Sequence, residues 1–147
     1  MQIKKLFALI IVAFMVTSGI SVSASAQSTS YYSDDGIALL YEYVDDAKSI
    51  LDIFSGTAEC TSKCTGANNV IQITVEQTLQ KFWGLWVWND VDGAKWPTTE
   101  NGSYISVVNT KRGLSSGTYR LKSVFTLKTS NGETETITIY SEENVIR

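Results

Sequence analysis

The chain has no histidine, one proline (Pro97) and two cysteines (Cys60 and Cys64) in 147 residues. Each shortage excludes something. Without histidine there is no ordinary general base near neutral pH, and the commonest zinc ligand is missing. Ser-His-Asp and Cys-His arrangements are therefore ruled out. Both methionines, Met1 and Met15, lie in the first fifteen residues. Beyond them the chain has neither a basic stripe nor an amphipathic helix pattern, which disfavours nucleic acid and anionic membrane as partners.

The N-terminus carries the clearest positive signal. Lys4 and Lys5 precede an almost unbroken apolar run over residues 6–16, long enough for a signal-peptide core and too short for a membrane span. Ala24-Ser25-Ala26 then offers small residues at the −3 and −1 positions. This pattern predicts a signal peptide over residues 1–26, cleavage before Gln27, and a secreted, extracellular or surface-associated protein with no stable membrane insertion afterwards. No cysteine follows the apolar run to carry a lipid, and no hydrophobic sorting segment closes the tail. Removing 26 residues from 147 leaves 121, one domain's worth. Losing two of 12 basic residues against 15 acidic ones leaves a charge of about −5.

Residues 27–36 are polar and read as a leader. Residues 37–44 fit either a short helical turn or an extended arm, so 27–47 is taken as leader and arm. From residue 48 to 147 the signals are all β. Residues 49–54 and 57–65 read as strands, the second with Ala58, Cys60, Ser62 and Cys64 on one face. Ile71, Ile73, Val75 and Leu79 alternate with polar residues, the period of a half-buried strand. Phe82-Trp83-Gly84 is read as a turn, with residues 85–91 running back. Asp92-Gly93 reads as another turn, and Trp96-Pro97 opens an irregular stretch to Gly102. Strands follow at 104–108 and 119–127. Asn131-Gly132 is the strongest hairpin signal, and residues 133–140 return with Ile137 and Ile139 inward. The profile is that of an immunoglobulin/fibronectin-like β-sandwich of about seven antiparallel strands. Tyr119, after the turn Ser115-Ser116-Gly117, fits either a tyrosine corner or a plain core tyrosine, with the corner slightly favoured.

Candidate sites are few. Cys60 and Cys64 in an exported chain raise the question of a disulfide. On a continuous strand, four residues put them roughly 13 Å apart, while a bridge needs Cα atoms within about 7 Å. A bridge thus requires a turn at Thr61-Ser62-Lys63; otherwise both are buried thiols. Glu76, Glu100, Glu133 and Glu135 are carboxylates that could serve a glycosidase, but all sit where solvent-facing residues belong. Asn89-Asp90-Val91-Asp92-Gly93 faintly matches a calcium loop. Aligning Gly93 with the required glycine puts Trp88 and Thr99 at ligand positions, so an acidic turn is preferred and no metal or other cofactor is expected. Asn101-Gly102-Ser103 is read as a turn.

Trp83, Trp86, Trp88 and Trp96 fall within 14 residues. Outward-facing indoles would offer a platform for a sugar ring or a protein; inward-facing ones would be core. A two-residue turn at Trp83-Gly84 puts Trp86 and Trp88 inside, and a three-residue turn over residues 82–84 puts them outside. Both registers stay open. The need of a small core for bulk favours the inward setting.

Tyr41-Glu42-Tyr43, residues 51–54 followed by Gly56-Thr57-Ala58-Glu59-Cys60, Ile71-x-Ile73 through Leu79-Gln80-Lys81, Trp86-Val87-Trp88, Gly117-Thr118-Tyr119-Arg120 and the Glu135 region carry a resemblance. Together they resemble a family of small secreted Firmicutes proteins, the domain of unknown function DUF6147, over most of residues 37–141. The resemblance implies a signal peptide, a β-sandwich and no assigned activity, and transfers no catalytic or binding residue. Cys64 stands where that pattern leads one to expect a plain apolar residue.

The leading expectation is a non-catalytic extracellular interaction module, with an unknown extracellular protein or glycan as partner. The alternatives are a carbohydrate-binding module using the tryptophans and a secreted toxin or bacteriocin-like effector. An exposed coplanar aromatic pair would favour the former, and a neighbouring immunity gene the latter.

Overall fold

The computed structural model describes residues 28–29 and 41–147. The expected signal peptide and most of the leader and arm lie outside the described residues. The described chain is all β: β1 (Ser28–Thr29), β2 (Val44–Phe54), β3 (Thr57–Gly66), β4 (Val70–Gly84), β5 (Val87–Asn101), β6 (Tyr104–Lys111), β7 (Gly117–Thr129), β8 (Thr134–Tyr140) and β9 (Asn144–Ile146). Seven are long and two are short. One sheet has the order β2-β3-β6. The other has the order β1-β8-β7-β4-β5, with β9 on β7. All pairings are antiparallel except β1 with β8. The two sheets form the expected immunoglobulin/fibronectin-like β-sandwich, with β2 starting four residues before the expected domain boundary at 48.

Alternation builds the interior. Ala58, Cys60, Ser62 and Cys64 of β3 face Ile73, Val75, Gln77 and Leu79 of β4 and Tyr119, Leu121, Ser123, Phe125 and Leu127 of β7, all buried. Ile71 departs from expectation and is exposed. A register irregularity between Val70 and Gln72 against β7 turns Val70 inward in its place.

The core is split into two apolar halves. One gathers Cys64, Val70, Ile73, Val75, Ile105, Phe125 and Ile137, among others. The other gathers Leu51, Ala58, Cys60, Leu79, Ala94, Tyr119 and Leu121. Between them runs a polar layer. Asn109 Nδ2 donates to Gln77 Oε1 (2.7 Å), and Gln77 Nε2 donates to Ser62 Oγ (2.7 Å) and to the Cys60 carbonyl (2.9 Å). Ser62 and Ser123 hydroxyls lie 2.6 Å apart, Ser123 and Ser49 2.8 Å apart, and Ser49 donates to the Leu121 carbonyl at 3.2 Å. A carbonyl only accepts, so Ser49 spends its proton there and accepts from Ser123, which accepts from Ser62. The relay runs one way across both sheets, and no buried side-chain polar atom among the described residues lacks a partner.

The tyrosine corner is present. Tyr119 is buried and donates from its phenol to the Ser115 carbonyl at 2.8 Å, pinning the β6–β7 crossover. Gly117 is required beside it. Its φ is 147°, and a Cβ there would stand 2.4 Å from Lys81 Cε. At the opposite end of the sandwich, Glu135 accepts from the backbone N–H groups of Glu42 (3.0 Å) and Tyr43 (2.9 Å). The Tyr43 phenol donates to Glu133, which also accepts from Asn131 Nδ2 at 2.8 Å. These bonds hold the Glu133 carboxyl below the usual carboxylate range and push the Tyr43 phenol up.

Two expected breaks are absent, because β5 is one strand through Trp96-Pro97. It is an edge strand, where the missing proline N–H costs no ladder bond. Asp92-Gly93 is likewise no hairpin turn. Thr78 pairs with Lys95 and Gln80 with Asp90, so residues 91–94 bulge opposite Leu79, with Gly93 at φ 64° and Ala94 buried.

Candidate functional site: the β4–β5 hairpin end

The hairpin turn falls at neither expected place. Gly84 pairs with Val87, leaving Leu85-Trp86 as a two-residue loop. Both have positive φ, 49° and 66°. Such loops favour Asn-Gly because positive φ costs a branched or bulky side chain about 1–2 kcal/mol. The register that forces this is fixed lower down. Phe82 pairs with Trp88, their ring centroids 5.3 Å apart. Arg120 lies 4.1 Å over the Trp88 ring and 4.1 Å over the Tyr140 ring, and its Nε donates to Gln80 Oε1 at 2.9 Å. Gln80 Nε2 in turn donates to Asp90 Oδ1 at 2.8 Å. Partial burial in this stack lowers the Arg120 pKa.

The inward setting of Trp86 and Trp88 is therefore corrected. Trp86 is 92% exposed at the hairpin tip, and Leu85 is 89% exposed. Trp88 stacks on the outer face of the larger sheet, half-buried. Trp83, beside the irregularity between Phe82 and Gly84, is 76% exposed. Trp96 packs against the core half around Leu79. The four tryptophans thus occupy different places. Only Trp83 and Trp86 meet at one exposed end, and no coplanar pair forms with Trp88.

Trp83 borders a cleft of about 270 Å³, lined also by Lys81, Asn89, Asp90, Lys111 and Ser115. Lys81 Nζ donates to Ser115 Oγ at 2.8 Å and lies 5.4 Å over the Tyr119 ring. A second exposed apolar tip stands at this end. Phe54 is 86% exposed at the Ser55-Gly56 turn, and the Gly56 carbonyl accepts from Leu114 N–H at 3.0 Å. Leu114 lines the cleft too. Sequence reasoning missed Phe54, Leu85, Lys81 and Lys111, because only the fold brings them together.

Cys60 and Cys64 are unbridged and buried on the inward face of β3 with Ser62 between them. The strand is continuous, so the turn that a bridge requires is absent. Burial pushes both thiols up to about 12. The four glutamates do not converge. Glu76 pairs with Lys95 at 2.9 Å on the outer face of the larger sheet. Glu100 is near the far end of β5, and Glu133 and Glu135 hold the chain at residues 42–43.

Fold and site together define a small β-sandwich module with an exposed aromatic end. No family model matches the chain, and no curated protein matches it. Among solved structures it is similar to wild-type OgpA from Akkermansia muciniphila, at TM-score 0.36 and 8% identity, covering 73% of this chain and 31% of that one. It is also similar to Spo0M, the sporulation control protein from Bacillus subtilis, at TM-score 0.31 and 11% identity, covering 65% and 47%. The chain spans less than half the length of either.

Proposed function

We propose that the protein is a secreted, non-catalytic interaction module that engages a surface-borne ligand through the β4–β5 hairpin end, and that it is kin to the DUF6147 proteins. One observation carries this reading. Leu85 and Trp86 are almost fully exposed and held at positive φ, where they weaken the fold instead of building it. Costly exposed apolar residues are retained where they contact something else. The absence of histidine and the scattered glutamates support a non-catalytic role. The apolar run and Ala24-Ser25-Ala26 support export.

The test is cell binding. Trp83→Ala and Trp86→Ala should each melt like the parent and reduce binding to the producing organism's surface at least tenfold. Undiminished binding by both variants would reject the hairpin end as the contact.

A second reading, a carbohydrate-binding module, is favoured by the cleft. Trp83 offers a face for a sugar ring, and Asn89 and Asp90 stand beside it as hydrogen-bonding groups. A glycan-array signal abolished by Trp83→Ala and retained by Trp86→Ala would support it.

A further inference from the structure

Three separate stretches of sequence meet at the hairpin end. The β2–β3 turn brings Phe54, the β4–β5 hairpin brings Lys81, Trp83, Leu85 and Trp86, and the end of β6 brings Lys111 and Arg112. The Leu114 bond to Gly56 ties the first stretch to the third, and the cleft shared by Lys81, Trp83 and Lys111 ties the second to the third. The result is a set of protruding apolar knobs with cations beside them. Arg112 is exposed, and no carboxylate among the described residues pairs with Lys81, Lys111 or Arg112. Asp90 lines the same cleft and accepts from Gln80, and Lys111 Nζ lies over Gly93 on the β5 bulge. A basic stripe was missing from the sequence because these cations are 30 residues apart in the chain.

Two features select the occupant. Leu85 and Phe54 offer no hydrogen-bonding group, so a polar sugar gains little from them. Trp and Leu on a narrow tip, flanked by Lys and Arg, match the layering of a membrane interface. Indoles settle at headgroup depth, aliphatic groups reach the acyl boundary, and cations meet anionic headgroups.

We propose that this end of the sandwich is a peripheral docking site for an anionic phospholipid bilayer, with Phe54, Trp83, Leu85 and Trp86 seated at the headgroup–acyl boundary and Lys81, Lys111 and Arg112 against the headgroups. The contact is reversible and places no segment across the membrane. It rests on the reading of the hairpin end as the binding end, and it names the partner.

The experiment uses processed protein starting at Gln27, with vesicles of phosphatidylglycerol and phosphatidylcholine and with phosphatidylcholine alone. Tryptophan emission and cosedimentation are the readouts. The parent should sediment with the anionic vesicles and shift its emission to the blue, and should bind phosphatidylcholine at least tenfold more weakly. The double variants L85N/W86G and K111E/R112E should each lose at least tenfold in vesicle partitioning. L85N/W86G places favoured residues in the turn, so a thermal melt at or above the parent's shows that its loss is not unfolding. Absence of vesicle binding, or binding that survives both variants, overturns the proposal. So does a dimer in solution that L85N/W86G dissolves, if no vesicles are bound. Whole-cell binding separates the two readings. If L85N/W86G abolishes it while the parent ignores vesicles, the lipid assignment fails and the binding end stands. If the variant leaves it unchanged, both fail.

Discussion

Cys60 and Cys64 show what a single residue's surroundings decide. Both are small apolar groups on a face that must be filled, one in each half of the core. Their thiols, held near 12, carry almost no thiolate at neutral pH and present none to solvent. Ellman's reagent at pH 8 should find no reactive thiol in the native protein, and both in denaturant without reductant. A count of zero in denaturant would mean that the cysteines are bridged. The same shift links stability to pH. Above the ordinary thiol value of 9 the unfolded chain releases these protons, whereas the folded chain keeps them until about 12. Protons bound by the folded state and lost by the unfolded one make stability fall as pH rises through that window. The thiols add to any alkaline destabilisation there, and Cys→Ala at both positions should flatten the slope.

At the scale of the element, the hairpin of β4 and β5 separates what a strand's sequence specifies from what a turn's does. Alternation placed Ile73, Val75 and Leu79 inside, because a half-buried strand repeats every two residues whatever its ends do. The turn was not legible. Two-residue hairpin loops are normally announced by Asn-Gly; Asn131-Gly132 does mark the β7–β8 connection, although that loop is longer and only Gly132 in it has positive φ. At Leu85-Trp86 local preference is overruled by the Phe82–Trp88–Arg120–Tyr140 stack, which draws residues from four strands and is invisible in any one. The candidate site was legible only as a concentration of tryptophan, since its cations and Phe54 come from distant stretches. Replacing Leu85-Trp86 by Asn-Gly should relieve the positive-φ cost at both positions and stabilise the protein by about 1–3 kcal/mol in urea unfolding. A loss of stability would mean that the exposed pair supports the fold after all.

The whole molecule poses a problem that alternation cannot solve. Sliding a strand by two residues keeps every apolar side chain facing inward, so the apolar pattern alone leaves the register of one sheet against the other weakly defined. The polar layer removes that freedom. Gln77, Ser62, Ser123, Ser49 and Asn109 come from β4, β3, β7, β2 and β6, and they satisfy one another only when all five stand level. A two-residue slip of any one strand would drive a polar group into an apolar half of the core and orphan its neighbours. Gln77 matters most, since its amide both accepts from Asn109 and donates to Ser62 and the Cys60 carbonyl. Gln77→Leu leaves Asn109 without its acceptor and the Cys60 carbonyl without that donor, and should cost about 2–3 kcal/mol. Combining it with Ser62→Ala and Asn109→Val removes most of the orphaned partners, so the triple variant should lose less than the sum of the three single losses. Urea unfolding of the parent and the four variants measures this directly. If Gln77→Leu unfolds at the parent's midpoint, or the losses simply add, the layer does not act as a unit and the apolar packing alone sets the register.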